Sequence, residues 1–154
     1  MKKEKGIDTK TTSTNLESFI ENCLKENSYS LIEKFRFDAA TFLEQPIYSK
    51  QYPVGKSIYE TEMSCDFIIF HPEKHKEFLI IDSKWQQSTG TADEKYPYWI
   101  LNIKKTYPFK TIILLDGGGY RKGAEKWLKS QLDDKLIHVF TMSEFQKWIN
   151  EGGL

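Results

Sequence analysis

The chain has no surplus of charge, almost no cysteine and no long apolar run, and each shortage removes a class of protein. Lysine plus arginine and aspartate plus glutamate stand at 22 each, so the formal net charge is zero. General basicity therefore cannot hold nucleic acid here, although a local basic patch survives the count. Cysteine occurs twice, as Cys23 and Cys65, each inside an apolar run. Two buried thiols make no disulfide framework and fit a reducing compartment, the cytoplasm. No apolar run approaches the ~20 residues that span a bilayer and no secretory leader opens the chain, so no membrane is expected. What is present is 39% hydrophobic and 14% aromatic residues in a chain of 154, enough to bury a core in one domain.

Residues 1–13 are polar and read as a flexible N-terminus, leaving 14–154 as the domain. Thr14-x-x-Glu17 has capping-box spacing and predicts a helix start, with Leu16, Phe19, Ile20, Cys23 and Leu24 on one face. A second helix is predicted over 30–44, and Pro and Gly in 45–60 predict short extended pieces. "SCDFIIF" and "EFLIIDSKW" are strands, joined by "HPEKHK" as an antiparallel hairpin. A helix over 92–105 follows behind Thr91-x-x-Glu94, then "KTIILLD", a strand buried on both faces. "GGGY" turns the chain into a helix over 122–132 that packs Ala124, Trp127 and Leu128. "LIHVF" is a strand, and a last helix over 142–150 starts behind Thr141-x-x-Glu144. The fold class is α/β.

The chemistry sits on the hairpin. Phe78 and Ile80 are followed at the same parity by Asp82 and Lys84, so charge appears on a face that had been apolar. With the turn centred near Lys74, Asp66 stands opposite Asp82 on one side of the sheet. Like charges opposed across a ladder are destabilising unless something neutralises them. Two carboxylates with a lysine two residues on suggest a divalent cation with hard oxygen ligands, such as Mg²⁺. The plainer reading is a strand cap at Asp66 and a solvated pair at Asp82 and Lys84.

Asp66, a strand, a turn and Asp82-Ser83-Lys84 resemble the PD-(D/E)XK nuclease superfamily, and the matching order of elements runs from about Thr14 to Leu132. The resemblance implies a restriction-endonuclease-like core, a mixed central β-sheet flanked by helices, and hydrolysis of DNA phosphodiesters. It implies Mg²⁺, with Mn²⁺ as a substitute, held by Asp66, Asp82 and the Ser83 carbonyl, with Lys84 as catalytic cation. Lysine is protonated at neutral pH, so an electrostatic role for Lys84 is favoured over a general base. Cys65 stands where the namesake proline would be, and Asp82 fills the acid slot with the shorter of the two permitted side chains.

Glu17 on the first helix is a further candidate for the metal or the reaction, with the capping box as its competing explanation; Glu21, one turn on, faces further toward solvent. Gln86 and Gln87 could contact the phosphate or serve only the loop, with Gln86 favoured by parity with Lys84. Lys95 could meet a phosphate at a helix start. The glycines after "KTIILLD" match no nucleotide-binding pattern and read as a tight turn. His71, His75 and His138 lack zinc-site spacing, the first two lying in an exposed turn. The expected function is a Mg²⁺-dependent endodeoxyribonuclease, and cutting both strands implies a homodimer or two successive nicks. The alternatives are a catalytically inactive DNA-binding or protein-interaction module on the same fold, and a small α/β ligand-binding protein.

Overall fold

The computed structural model describes residues 9–154, with side chains from Asn15 onward. Residues 1–8 of the expected flexible N-terminus lie outside the described residues. Helix α1, Thr9–Glu26, is already under way before Thr14, so the helix does not start there and Glu17 is not a capping residue. Nothing from Thr9 to Ser13 breaks a helix, and the polar turns extend one that is anchored further on. That anchor is Leu16, Ile20, Cys23 and Leu24, all buried at helical spacing.

The predicted second helix does not form. Ser30–Leu31 is instead a short edge strand, β1. Two 3₁₀ turns, Lys34–Arg36 and Thr41–Leu43, then flank a single α-helical turn, α2, Phe37–Ala40. Only Phe37 of these turns is buried, whereas Phe35, Phe42 and Leu43 are exposed. One anchor cannot sustain a long amphipathic helix. The expected short pieces of 45–60 are in fact one strand, β2, Ile47–Lys56. Its register against the next strand shifts between Pro53 and Gly55, where Gly55 takes φ 113°. Pro53, which cannot donate, still lies opposite Ser64; Val54 is the extra residue of the bulge, and the strand continues past it.

The hairpin forms as expected from β3, Glu62–His71, and β4, His75–Trp85. Phe67 faces Ile81 and Ile68 faces Ile80, the register that brings Asp66 level with Asp82. The turn histidines are partly buried, not exposed. His71 Nδ1 accepts the N–H groups of Glu73 and Lys74, and His75 Nε2 lies 2.7 Å from the Gly153 carbonyl.

After a 3₁₀ turn at Ala92–Lys95 come α3, Tyr96–Lys105, and β5, Thr111–Asp116. Then follow α4, Lys122–Ser130, β6, Leu136–Phe140, and α5, Met142–Asn150. In α4 Leu128 is buried, but Trp127 is 37% exposed and does not pack as predicted. The six strands lie in chain order, with β2, β3 and β4 antiparallel and β4, β5 and β6 parallel.

Helices cover both faces of this mixed sheet. Ile68, Ile80, Ile113 and Leu115 join Trp99, Ile100 and Ile103 of α3. On the opposite face Phe67, Ile81 and Leu114 join Leu16 and Ile20 of α1 and Phe145 of α5. Burying each such side chain contributes about 1.5–3 kcal/mol, so β4 and β5, apolar on both faces, hold the middle of the sheet rigidly. Among the described residues no helix is long and apolar enough to cross a membrane.

Candidate active site

The strand pair β3–β4 changes character at its open end. Past Phe67 and Ile81 the two acids supply the bonds that join the strands. Asp66 N–H donates to Asp82 Oδ1 at 2.8 Å. Ser83 donates to Asp66 Oδ2 from its N–H at 2.8 Å and from its hydroxyl at 3.1 Å. Each carboxylate is thereby oriented by the backbone of the opposite strand.

Asp82 is buried, with 5% of its surface exposed. Its Oδ2 accepts from Trp99 Nε1 at 3.3 Å and from the Tyr107 hydroxyl. Asp66 Oδ1 accepts no hydrogen bond among the described residues. Burial, and then the negative charge of Asp82, push the Asp66 carboxyl up to about 7; Glu17 acts in the same direction, against the Ser83 N–H and Lys84. Cys65 is fully buried, and burial with the two acids pushes its thiol far up, so it stays neutral.

Lys84 forms no ion pair with either acid. Its ammonium lies 5.4 Å from the centroid of the Trp99 ring, a cation–π contact that holds it over the cleft. The cleft has a volume of about 390 Å³, and Asp66, Asp82, Lys84, Gln86, Lys95 and Tyr98 are among the residues that line it.

The other sequence candidates divide. Lys95 is exposed on the cleft wall. Gln86 also lines the cleft, but its amide is committed. Its Oε1 accepts from the Tyr96 hydroxyl at 2.6 Å, and its Nε2 reaches the carbonyls of Ser88 and Gly119. Gln87 is exposed and accepts from Trp85 Nε1 at 3.3 Å. Glu17 does not line the cleft, yet it is close enough to act on Asp66.

Glu21 is turned toward the sheet, contrary to expectation. It accepts from the Tyr48 hydroxyl at 2.5 Å and pairs with Lys50 at 3.1 Å. Burial works against its charge, but these two partners outweigh it and hold the carboxyl below its ordinary value. Among the described residues no three His, Cys, Asp or Glu side chains gather as a ready metal cluster.

Sequence reasoning missed Trp99, Tyr107 and Tyr96, which orient Asp82, Lys84 and Gln86. Their signal was weak but physical: a buried indole N–H or phenol needs a polar partner. The glycine turn is also more than a reversal. Gly119 N–H donates to the Gln86 carbonyl at 2.8 Å. A Cβ on Gly117 would lie 2.4 Å from the Gln86 oxygen, and one on Gly119 2.5 Å from Gln87 and Ser88 backbone atoms. Only glycine lets the loop after Lys84 lie against the end of β5.

Neither the curated proteins nor the solved structures contain a significant match to the chain. A family model described as a PD-(D/E)XK nuclease superfamily domain matches residues 8–152. That span takes in the hairpin, its paired aspartates and Lys84, and the helices on both faces of the sheet, and the chain belongs to the PD-(D/E)XK nuclease superfamily.

Proposed function

We propose that the protein is a Mg²⁺-dependent endodeoxyribonuclease, with Mn²⁺ able to replace Mg²⁺, acting in the cytoplasm. The observation that carries this reading is a pair of carboxyl groups at one end of the hairpin, Asp66 and Asp82, neither of them ion-paired among the described residues. The donor set suits a hard divalent cation, because it offers carboxylate oxygens and one Asp66 oxygen free of hydrogen bonds. Asp66, Asp82 and the Ser83 carbonyl would hold the ion; the Ser83 N–H points at Asp66, and in a strand the carbonyl of a residue leaves on the same side. When bound, such an ion supplies Lewis acidity at the phosphodiester and a water acidic enough to attack at neutral pH.

The chain's own groups do the rest. Asp66, whose carboxyl is pushed up to about 7 by burial and by Asp82, would have to release its proton to serve as a ligand. Trp99 and Tyr107 fix Asp82 in one orientation, which a ligand needs. Lys84, held over Trp99, offsets the charge that builds on the phosphate, and Lys95 receives a neighbouring phosphate. Glu17 adds negative charge from α1. Gln86 keeps the loop in place through Tyr96.

One observation favours the second reading, an inactive DNA-binding or protein-interaction module: both oxygens of Asp82 are already hydrogen-bonded within the protein. Calorimetry with Mg²⁺ and Mn²⁺, beside cleavage assays on plasmid, single-stranded and branched DNA, separates the two. The nuclease binds the cation and cuts, and Asp66→Ala and Asp82→Ala do neither. Failure of the wild type to bind either ion removes the nuclease reading. The same plasmid assay distinguishes nicking from double-strand cutting, and so tests for a working homodimer.

A further inference from the structure

Two exposed tyrosines meet at the rim of the cleft. Tyr98 of α3 lines it and is 37% exposed, and Tyr59, in the turn between β2 and β3, is 73% exposed. Their rings stack with centroids 5.3 Å apart and planes within 22°. The arrangement is built, not incidental. Asn102, wholly buried on α3, accepts the Ile58 N–H at 2.8 Å and donates to the Tyr98 carbonyl at 3.0 Å. Ser57 closes the turn, accepting the Tyr59 N–H at 3.1 Å and bonding the Thr61 hydroxyl at 2.7 Å. A wholly buried side chain thus pins the turn that sets an exposed aromatic beside its partner. Neither phenol is hydrogen-bonded among the described residues, and each ring keeps part of its surface exposed.

We propose that Tyr59 and Tyr98 are a base-stacking platform, and that the DNA taken by this site carries an unpaired base beside the phosphate to be cut. The substrate class rests on the nuclease reading above. Stacking on an aromatic suits any base, but a base must be out of the duplex to offer its face. Charge points the same way. Proteins that hold duplex DNA tightly neutralise many phosphates, whereas this chain has zero net charge and lines the cleft with Lys84 and Lys95 as its cations. A short unpaired segment needs few phosphate contacts if its bases stack.

Binding is measured with metal withheld by EDTA, so that nothing is cut. The probes are a single-stranded oligodeoxynucleotide carrying 2-aminopurine and the fully paired duplex of the same sequence. The single strand should bind more tightly, and its 2-aminopurine emission should be quenched. Tyr59→Ala and Tyr98→Ala, checked by circular dichroism for unchanged folding, should each lose roughly tenfold in single-strand affinity. Tyr59→Phe and Tyr98→Phe should bind like the wild type; loss in these variants would assign the effect to the hydroxyls and overturn stacking. Equal affinity in wild type and both Ala variants, or preference for the duplex without quenching, also overturns the platform, even in a protein that cuts DNA. Tyrosine-dependent single-strand binding by a protein that cuts nothing upholds the platform and removes the nuclease reading instead.

Discussion

Asp82 gathers three protein donors around one buried carboxylate, and the most replaceable of them is Tyr107. Tyr107→Phe keeps the ring and removes the hydroxyl. It should cost about 1–3 kcal/mol in urea denaturation and lower cleavage, because the ligand loses its fixed orientation. Asp66 gives a pH dependence of definite sign. Its folded carboxyl titrates near 7, above its unfolded value, so the folded state holds the proton more tightly. At low pH both states are protonated and the group contributes no difference. As pH rises from about 4 toward the folded value the unfolded chain loses its proton first, and stability falls. Without metal, Asp66→Asn should flatten that fall in urea midpoints taken across the window; an unchanged slope would show that another group causes it. The paired acids and Lys84 were legible in the sequence because strand parity and a short joint fix which residues face each other. Trp99 and Tyr107 were not, since they reach Asp82 from α3 and the turn beyond it, and no local pattern records that approach.

At the scale of elements, the Thr-x-x-Glu sequences at Thr14, Thr91 and Thr141 read alike as helix starts, and of these three only Thr141 caps a helix. Thr141 has ψ 172°, and its side chain and that of Glu144 exchange bonds with the backbone. Thr91 has ψ 5° and enters a 3₁₀ turn without capping, and Thr14 lies inside α1. The motif works only where the chain arrives extended, which tertiary packing decides. The same limit explains the lost helix at 30–44, where the sheet edge claimed Ser30 and Leu31. The hairpin and β5 were legible because their apolar runs are continuous and leave no alternative face. The glycine turn supplies the prediction at this scale. Gly117→Ala and Gly119→Ala force a Cβ into the Gln86–Ser88 backbone and should each lower stability by about 1–3 kcal/mol and slow cleavage. Gly118→Ala, with φ 74° but open space around it, should cost only the backbone strain, about 1 kcal/mol. Thermal melting of the three variants checks the order, and a more damaging Gly118 change would refute it.

For the whole molecule, a cation that binds only the folded state stabilises all of it by mass action, by ~2.7 kcal/mol at a hundredfold excess over its dissociation constant. Mg²⁺ should therefore raise the melting temperature of the wild type, while Asp66→Ala and Asp82→Ala stay where they are. Sodium chloride of matched ionic strength should not reproduce the shift. A second consequence follows from the strands lying side by side in chain order. Each pairing joins neighbours along the chain, and the hairpin bonds between Asp66 and Asp82 or Ser83 span only 16 and 17 residues. Local contacts of this kind close early in folding, before the parallel crossovers to β5 and β6. The acids are therefore expected to meet while the polypeptide is still collapsing, with their repulsion falling on the folding barrier as well as on the finished state. Asp66→Asn should refold faster than the wild type in stopped-flow experiments, with its unfolding rate little changed.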